Sequence, residues 1–496
     1  MLCGASSHRY EDNIDTHVTP NSSLVYTYNL PSNHLMGTHW YHAHHHGSTF
    51  LQVMGGMAGG LLVEPSDAYL SAMDADLRAL YTSETNSHLM IMVHHFFGAS
   101  DDGGGAFALE NYQTISGRYT SQSIDPNVVI HDATNANFYS INGQFQPAVS
   151  VVQDDVHLLR MVHGGGARVM RMVQQVNANA ACVFTLLSRD GVFQATPYPT
   201  VTDLVFVQGT RADYAVKCSL TGSSAQTVTL AAVPNTDANW PLGTGNQHTQ
   251  AVMFTIEVLP TPAGGHAALT LPSAAAALPS YLNDLGSATV EATHSINLGG
   301  GQINGVSFPG YEADVASRYQ TELCLNKVYQ YNLNPPPARR LLRASPTTMG
   351  AGAGAADTED DNVLHRLGRT LLQRPPPGGG GGGGAGAGSA HPYHQHINHF
   401  QITSLEGQTA LSPDTLREGE WRDVAPSGNL QVRFPTDSFP GEVIMHWCVV
   451  RCVLVGWFVC LFVCLWLCVR ACCVPPLSRI SSPLLLTCSS LAFCDM

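Results

Sequence analysis

The sequence predicts an all-β protein made of tandem β-sandwich domains, and three observations carry that expectation. Runs rich in strand formers recur, among them Ser23 to Leu30, Gln226 to Leu230 and Ala251 to Val258. Gly, Pro, Asn and Asp clusters punctuate these runs at short intervals, the pattern of many short strands joined by turns. Long amphipathic helical patterns are scarce. The 496 residues are 44% hydrophobic and only 12% charged, enough apolar material for large cores and too much for a chain disordered throughout. That length suits roughly three domains at ~150 residues each. A formal net charge of −14 argues against nucleic acid and anionic lipid as partners and favours neutral or cationic ones.

Three blocks and a tail follow in order. The first, residues 1 to 125, holds a histidine cluster. The second, residues 126 to 262, includes the strand-like run Phe138 to Gly143 and ends at a Pro/Ala/Gly linker between Pro260 and Pro279. Cys182 and Cys218 lie within it; spacing alone does not establish whether they bond. The third, residues 290 to 448, holds a second histidine cluster and is interrupted over residues 335 to 390. That stretch opens on Pro335-Pro336-Pro337 and closes on seven glycines, Gly378 to Gly384, a composition that cannot bury a core. It reads as a surface insertion, either inert or a recruiter of partners. Residues 449 to 496 form an apolar tail; with Cys448 it holds nine of the thirteen cysteines.

The first cluster runs from Gly37 to Gly47, with histidines at His39, His42, His44, His45 and His46. On a strand, residues two apart share a face, so His42 and His44 present paired imidazoles. Neutral imidazole suits copper and zinc. Alone, the pair is better read as a polar histidine-rich strand or loop, because lone His-x-His pairs are common by chance. The second cluster is His391, Pro392, Tyr393, His394, Gln395, His396, Ile397, Asn398, His399 and Phe400. Its His-x-x-His-x-His spacing gathers several ligands within a few residues, and Pro392 restricts the backbone on either side. A metal site is the expectation; a tag-like polar loop is the alternative. A site joining the clusters would lie between the first and third blocks, where binding sites commonly form.

At these residues the chain resembles the multicopper oxidases, the group of laccases, ferroxidases and bilirubin oxidases. Gly37 to Gly47 is similar to their Gly-Thr-x-Trp-Tyr-His-x-His segment, and Gly55 to Glu64 also fits. His391 to Gln401 is similar to their His-Pro-x-His-x-His segment. Asn142-Gly143, Gly209 to Tyr214, Glu420 to Asp423 and Val432 to His446 match more weakly. The resemblance covers most of residues 9 to 446 outside the insertion. It implies tandem cupredoxin-like (plastocyanin-like) Greek-key sandwiches. It also implies copper of three kinds: a type 1 centre that takes electrons from a small reducing substrate, and a type 2 plus paired type 3 cluster that reduces O2 to water. Residue by residue, it makes His42, His44, His396 and His446 type 3 ligands, His394 the type 2 ligand and His391 a type 1 ligand. His39, His45, His46 and His399 match no ligand position and are expected to be outer-shell or surface groups.

The sequence departs from that pattern at both ends. An earlier His-x-His-Gly segment is expected upstream of Tyr10 to Ile14, and the chain begins too late to include it. Met1 to His8 has no basic start and apolar run of a secretory signal, although the resemblance leads one to expect secretion of the intact protein. At the other end the type 1 cysteine position holds Trp447, Cys448 comes one residue late, and no histidine follows His446. Trp is encoded by TGG and Cys begins TG, so the message reads TG-GTG. An intron opening with GT would make the tail a translated intron, and splicing would restore cysteine after His446. The rival reading takes the uncharged run from Cys452 to Val469, between Arg451 and Arg470, as a membrane-spanning segment near the ~20 residues such a helix needs. The leading function is thus a copper-dependent oxidoreductase. The alternative is a catalytically incomplete copper-binding or membrane-anchored protein of the same fold. A zinc hydrolase fits poorly, because no catalytic carboxylate pattern accompanies the histidines.

Overall fold

The computed structural model describes residues 18, 22–28, 30, 34–44, 49–82, 88–97, 137–165, 169–234, 251–264, 268–299, 302–306, 319–334, 392–396, 398–406, 415–426, 428–436, 442–453, 459–471, 484–488 and 492–494. The insertion over 335–390, together with His391, His45 and His46, lies outside them.

The protein is all-β, as expected. The runs read as strands form Leu24–Tyr28, Asn137–Ile141, Gln226–Ala232 and Ala251–Leu259. The α-helices among the described residues are short: Thr49–Met54, Asp67–Ala72 and Ala75–Thr82.

Two sheets make the second sandwich. One contains Ala180–Arg189, Arg211–Leu220, Val156–His163, His88–Phe97 and Asn137–Ile141 in that spatial order. The other contains Asp203–Phe206, Met170–Gln174, Gln226–Ala232, Ala251–Leu259 and Ala148–Val152. Their facing residues, including Phe184, Tyr214, Phe206 and Phe254, form one buried core. The strand His88–Phe97, which the sequence reading assigns to the first block, pairs in parallel with Val156–His163 of the second. Within this sandwich Cys182 opposes Cys218 on neighbouring strands, and the two are bonded.

The third sandwich pairs a sheet holding Ala292–Gly299, Val328–Asn334, Leu430–Pro435 and Phe400–Ser404 with one holding Glu442–Val453, Pro392–Gln395 and Val424–Pro426. Its core takes in Tyr331, Tyr393, Phe400 and Phe434, and also Val169, Val205 and Val207 from the second sandwich. Those three valines make the seam between the two units apolar and continuous.

The first block contributes Gly37–His42, paired antiparallel with Ala58–Val63. Small residues let bulky ones lie across this pair: Tyr41 opposes Gly59 and Trp40 opposes Gly60. The apolar run from Cys452 to Val469 is a correction to the helical expectation. Glu442–Val453 and Val459–Ala471 are antiparallel strands, and no helix among the described residues is long and apolar enough to cross a membrane.

Candidate metal centre

His42 is the last residue of the strand Gly37–His42, and His44 lies just beyond it. The pairing with the neighbouring strand carries on past His42, the Ala43 amide donating to the Met57 carbonyl at 3.0 Å, and the two imidazoles lie side by side as expected. Their rings stack with centroids 5.2 Å apart, and His42 also lies 4.4 Å from Trp40. His394 sits inside the strand Pro392–Gln395, and His396 just past its end. Pro392 opens that strand, a position where a missing N–H is tolerated.

The two clusters meet. His44 and His396 have ring centroids 5.3 Å apart, and His396 and His394 4.8 Å. The four rings thus run in the order His42, His44, His396, His394 across the junction of the first and third blocks. All four are buried, His396 completely. His446 stands opposite His394 in the backbone register of Glu442–Val453, and Trp447 opposite Tyr393. His391 is outside the described residues, so its expected role is carried by sequence alone.

Two hydrogen bonds set the chemistry of the rings. His42 Nδ1 meets the Ala43 carbonyl at 2.9 Å, and His394 Nδ1 meets the Asp423 carbonyl at 2.9 Å. A carbonyl can only accept, so in each ring Nδ1 carries the proton and Nε2 the lone pair. Such bonds are the usual means of orienting a ligating imidazole and fixing its tautomer. Imidazoles sharing one metal at ~2.0 Å bonds stand with centroids about 5 Å apart, close to the spacings seen here. Among the described residues no group of three or more His, Cys, Asp or Glu is placed to hold one metal ion. The rings are donors of the kind copper takes, and neighbouring pairs of them stand at the spacing of imidazoles that share one metal. The position the resemblance gives to a type 1 thiolate does not fit: Trp447 has no thiolate, and Cys448 is one step further along the strand.

Sequence reasoning missed a buried charge network beside these rings. Arg211 pairs through both terminal nitrogens with Asp423, at 2.8 and 2.5 Å. Arg189 and Arg422 flank Glu420 at 3.3 and 3.1 Å. Asp213 accepts from Thr38 at 2.5 Å and Tyr81 at 2.8 Å, with Arg160 at 3.8 Å. These groups come from all three blocks. Burial pushes the Asp190 carboxyl up to about 6, helped by the charge of Asp423 and opposed by Arg211 and Arg422. Burial also raises Glu420, but the Arg422 and Arg189 guanidiniums outweigh it and hold that carboxyl below its ordinary range. The signal that could have found the network is scarcity. In a chain only 12% charged, Arg189-Asp190 and Arg211 with Asp213 stand inside apolar strand ends. His399, expected in an outer shell, donates from Nε2 to the Asp190 carbonyl at 2.9 Å. His39 is buried against Gly191, where an added Cβ would come within 2.8 Å of the ring.

Residues 11–68 match the family model described as multicopper oxidase. No curated protein matches the chain in sequence. Among solved structures, the multicopper oxidase McoA from the hyperthermophile Aquifex aeolicus matches with a TM-score of 0.51 at 14% identity, covering 88% of this chain and 76% of that one. Its 2F4 variant matches at TM-score 0.50 and 14% identity, over 88% and 77%. At such identity the likeness is one of fold, and it spans most of the chain.

Proposed function

We propose that the four-imidazole junction is the oxygen-handling half of a copper oxidase site, and that the intact protein couples oxidation of a small phenol-like or metal-ion substrate to reduction of O2 to water. One observation carries the reading: His42, His44, His396 and His394, from segments some 350 residues apart, form one buried row of rings. His42 and His394 would hold copper through Nε2, with His44 and His396 between them. Bound copper would supply the electron transfer that O2 reduction requires. The protein's own part is to fix tautomers through the Ala43 and Asp423 carbonyls, and to exclude water by burying all four rings.

A second reading is favoured by Trp447. With tryptophan opposite Tyr393 and no thiolate at that position, the chain as written would bind copper without an electron entry site. It is then a catalytically incomplete relative, or the product of an unspliced message whose tail begins after codon 447.

The test is a Cu(II) titration of the purified full chain, followed by electron paramagnetic resonance and by oxygen uptake with a phenolic donor. Paired substitution of His42 and His44, or of His394 and His396, by alanine is expected to weaken binding at least tenfold. Binding that survives both pairs of changes sinks the site. Oxygen uptake by the wild-type chain decides for the oxidase; tight copper without uptake decides for the incomplete relative.

A further inference from the structure

Arg211 opens the strand Arg211–Leu220 of the second sandwich, yet its guanidinium works at the junction of the other two blocks. It grips Asp423 of the third block with both Nη atoms, and Nη1 also donates to its own turn at Gly209, 3.0 Å away. Its Nε reaches the Thr38 carbonyl at 3.5 Å, on the strand that ends in His42. The backbone of the gripped residue is the important part. The Asp423 carbonyl accepts both from His394 Nδ1, at 2.9 Å, and from the Gln395 amide, at 3.0 Å. Asp423 thus joins Arg211 through its side chain and His394 through its main chain.

A buried ion pair of this kind is a weak source of net stability, because desolvation offsets most of the attraction. What a bidentate fork supplies is geometry. We propose that Arg211 is a positioning residue: by clamping Asp423 it fixes the carbonyl that sets the tautomer and aim of the His394 ring, and it ties that ring to the strand bearing His42. The second sandwich, which supplies none of the four imidazoles, would in this way govern them. The functional importance of the clamp rests on the copper reading above; the clamp itself does not.

The experiment uses the full chain and two variants. Arg211→Lys keeps the charge and loses the fork. Arg211→Met with Asp423→Leu replaces the pair by apolar side chains of similar bulk, a change that ordinarily leaves stability intact. The first readout needs no metal: in chain labelled with 15N-histidine, the His394 Nδ1–H resonance, assigned by its loss in His394→Gln, is expected to shift and exchange faster in both variants. The second is Cu(II) affinity by competition with a chelator, expected to fall about tenfold or more, the usual effect of losing such an outer contact. A double variant that melts with the wild type while keeping both the resonance and the affinity overturns the proposal. If the double variant does not fold, the same two readouts on Arg211→Lys decide it. If the resonance moves in the variants but copper affinity is indifferent to His394→Gln, the clamp stands and the copper reading fails.

Discussion

At the scale of single residues, Asp190 shows how one position serves both the backbone and the charge balance. Asp190 and Gly191 take φ of 50° and 79° between strands paired through Arg189 and Val192. That is a two-residue hairpin turn with both central residues left-handed, for which Asp-Gly is a preferred sequence. The turn delivers the carboxyl into the interior, where Oδ1 accepts from the Arg211 amide at 3.0 Å and Oδ2 meets no hydrogen-bond donor among the described residues. Its pKa of about 6 is set first by burial and then by Asp423. Below about pH 4 the carboxyl is protonated folded or unfolded and contributes no pH dependence. Between about pH 4 and pH 6 the unfolded state ionises first, so stability falls as pH rises, by about 3 kcal/mol in all. Asp190→Asn tolerates the same left-handed turn and cannot ionise. Its melting temperature should therefore gain on the wild type as pH rises through that window and hold a constant lead above it. A lead that does not change with pH would refute this account.

At the scale of elements, the local patterns were legible and their limits are instructive. Runs of strand formers bounded by turn residues located strands because both signals are written in neighbouring residues. The histidine clusters were legible for the same reason. What local pattern did not show was where each strand stops: Gly37–His42 ends before His44, although the two rings still stack. Nor did it show that His88–Phe97 hydrogen bonds to Val156–His163, a pairing across more than 60 residues of sequence. The glycines opposite the first cluster do have a local reason. A Cβ on Gly59 would lie 2.5 Å from the Tyr41 hydroxyl and 2.6 Å from its ring. Gly59→Val should force the ring or the strand aside and cost about 1–3 kcal/mol, as overpacking usually does. Because Tyr41 adjoins His42, copper affinity should fall with it. Denaturant unfolding and a copper titration on the same sample check both effects; a variant with an unchanged midpoint would mean the strand pair yields without cost.

At the scale of the whole molecule, the chain is held together in two unlike ways. Between blocks the ties are non-covalent: the apolar seam of Val169, Val205 and Val207, and buried polar and charged pairs from Thr38 and Tyr81 to Asp213, Arg189 to Glu420, and Arg211 to Asp423. These were the least legible features, because an ion pair between residues 212 apart in sequence leaves no local trace. Within the second sandwich the tie is covalent. Cys182 and Cys218 stand opposite each other on adjacent strands and are bonded across a sequence separation of 36. Spacing left that bond open; strand register closes it. Bonds of this kind persist in oxidising compartments, and in the chain-entropy account a loop of this length contributes about 3–4 kcal/mol by restricting the unfolded chain. The bond joins two strands of one sheet, whereas the imidazole row lies at the junction of the other two blocks. Stability and metal affinity should consequently separate. Reductant should lower the unfolding midpoint of the metal-free wild type and leave the Cys182→Ala, Cys218→Ala variant unmoved. That variant, titrated with Cu(II) without reductant, should bind within about threefold of wild type, well inside the tenfold scale of contacts that orient a ligand. A larger loss would mean that the second sandwich transmits its rigidity to the histidines through the Arg211 strand, since Cys218 and Arg211 belong to the same element.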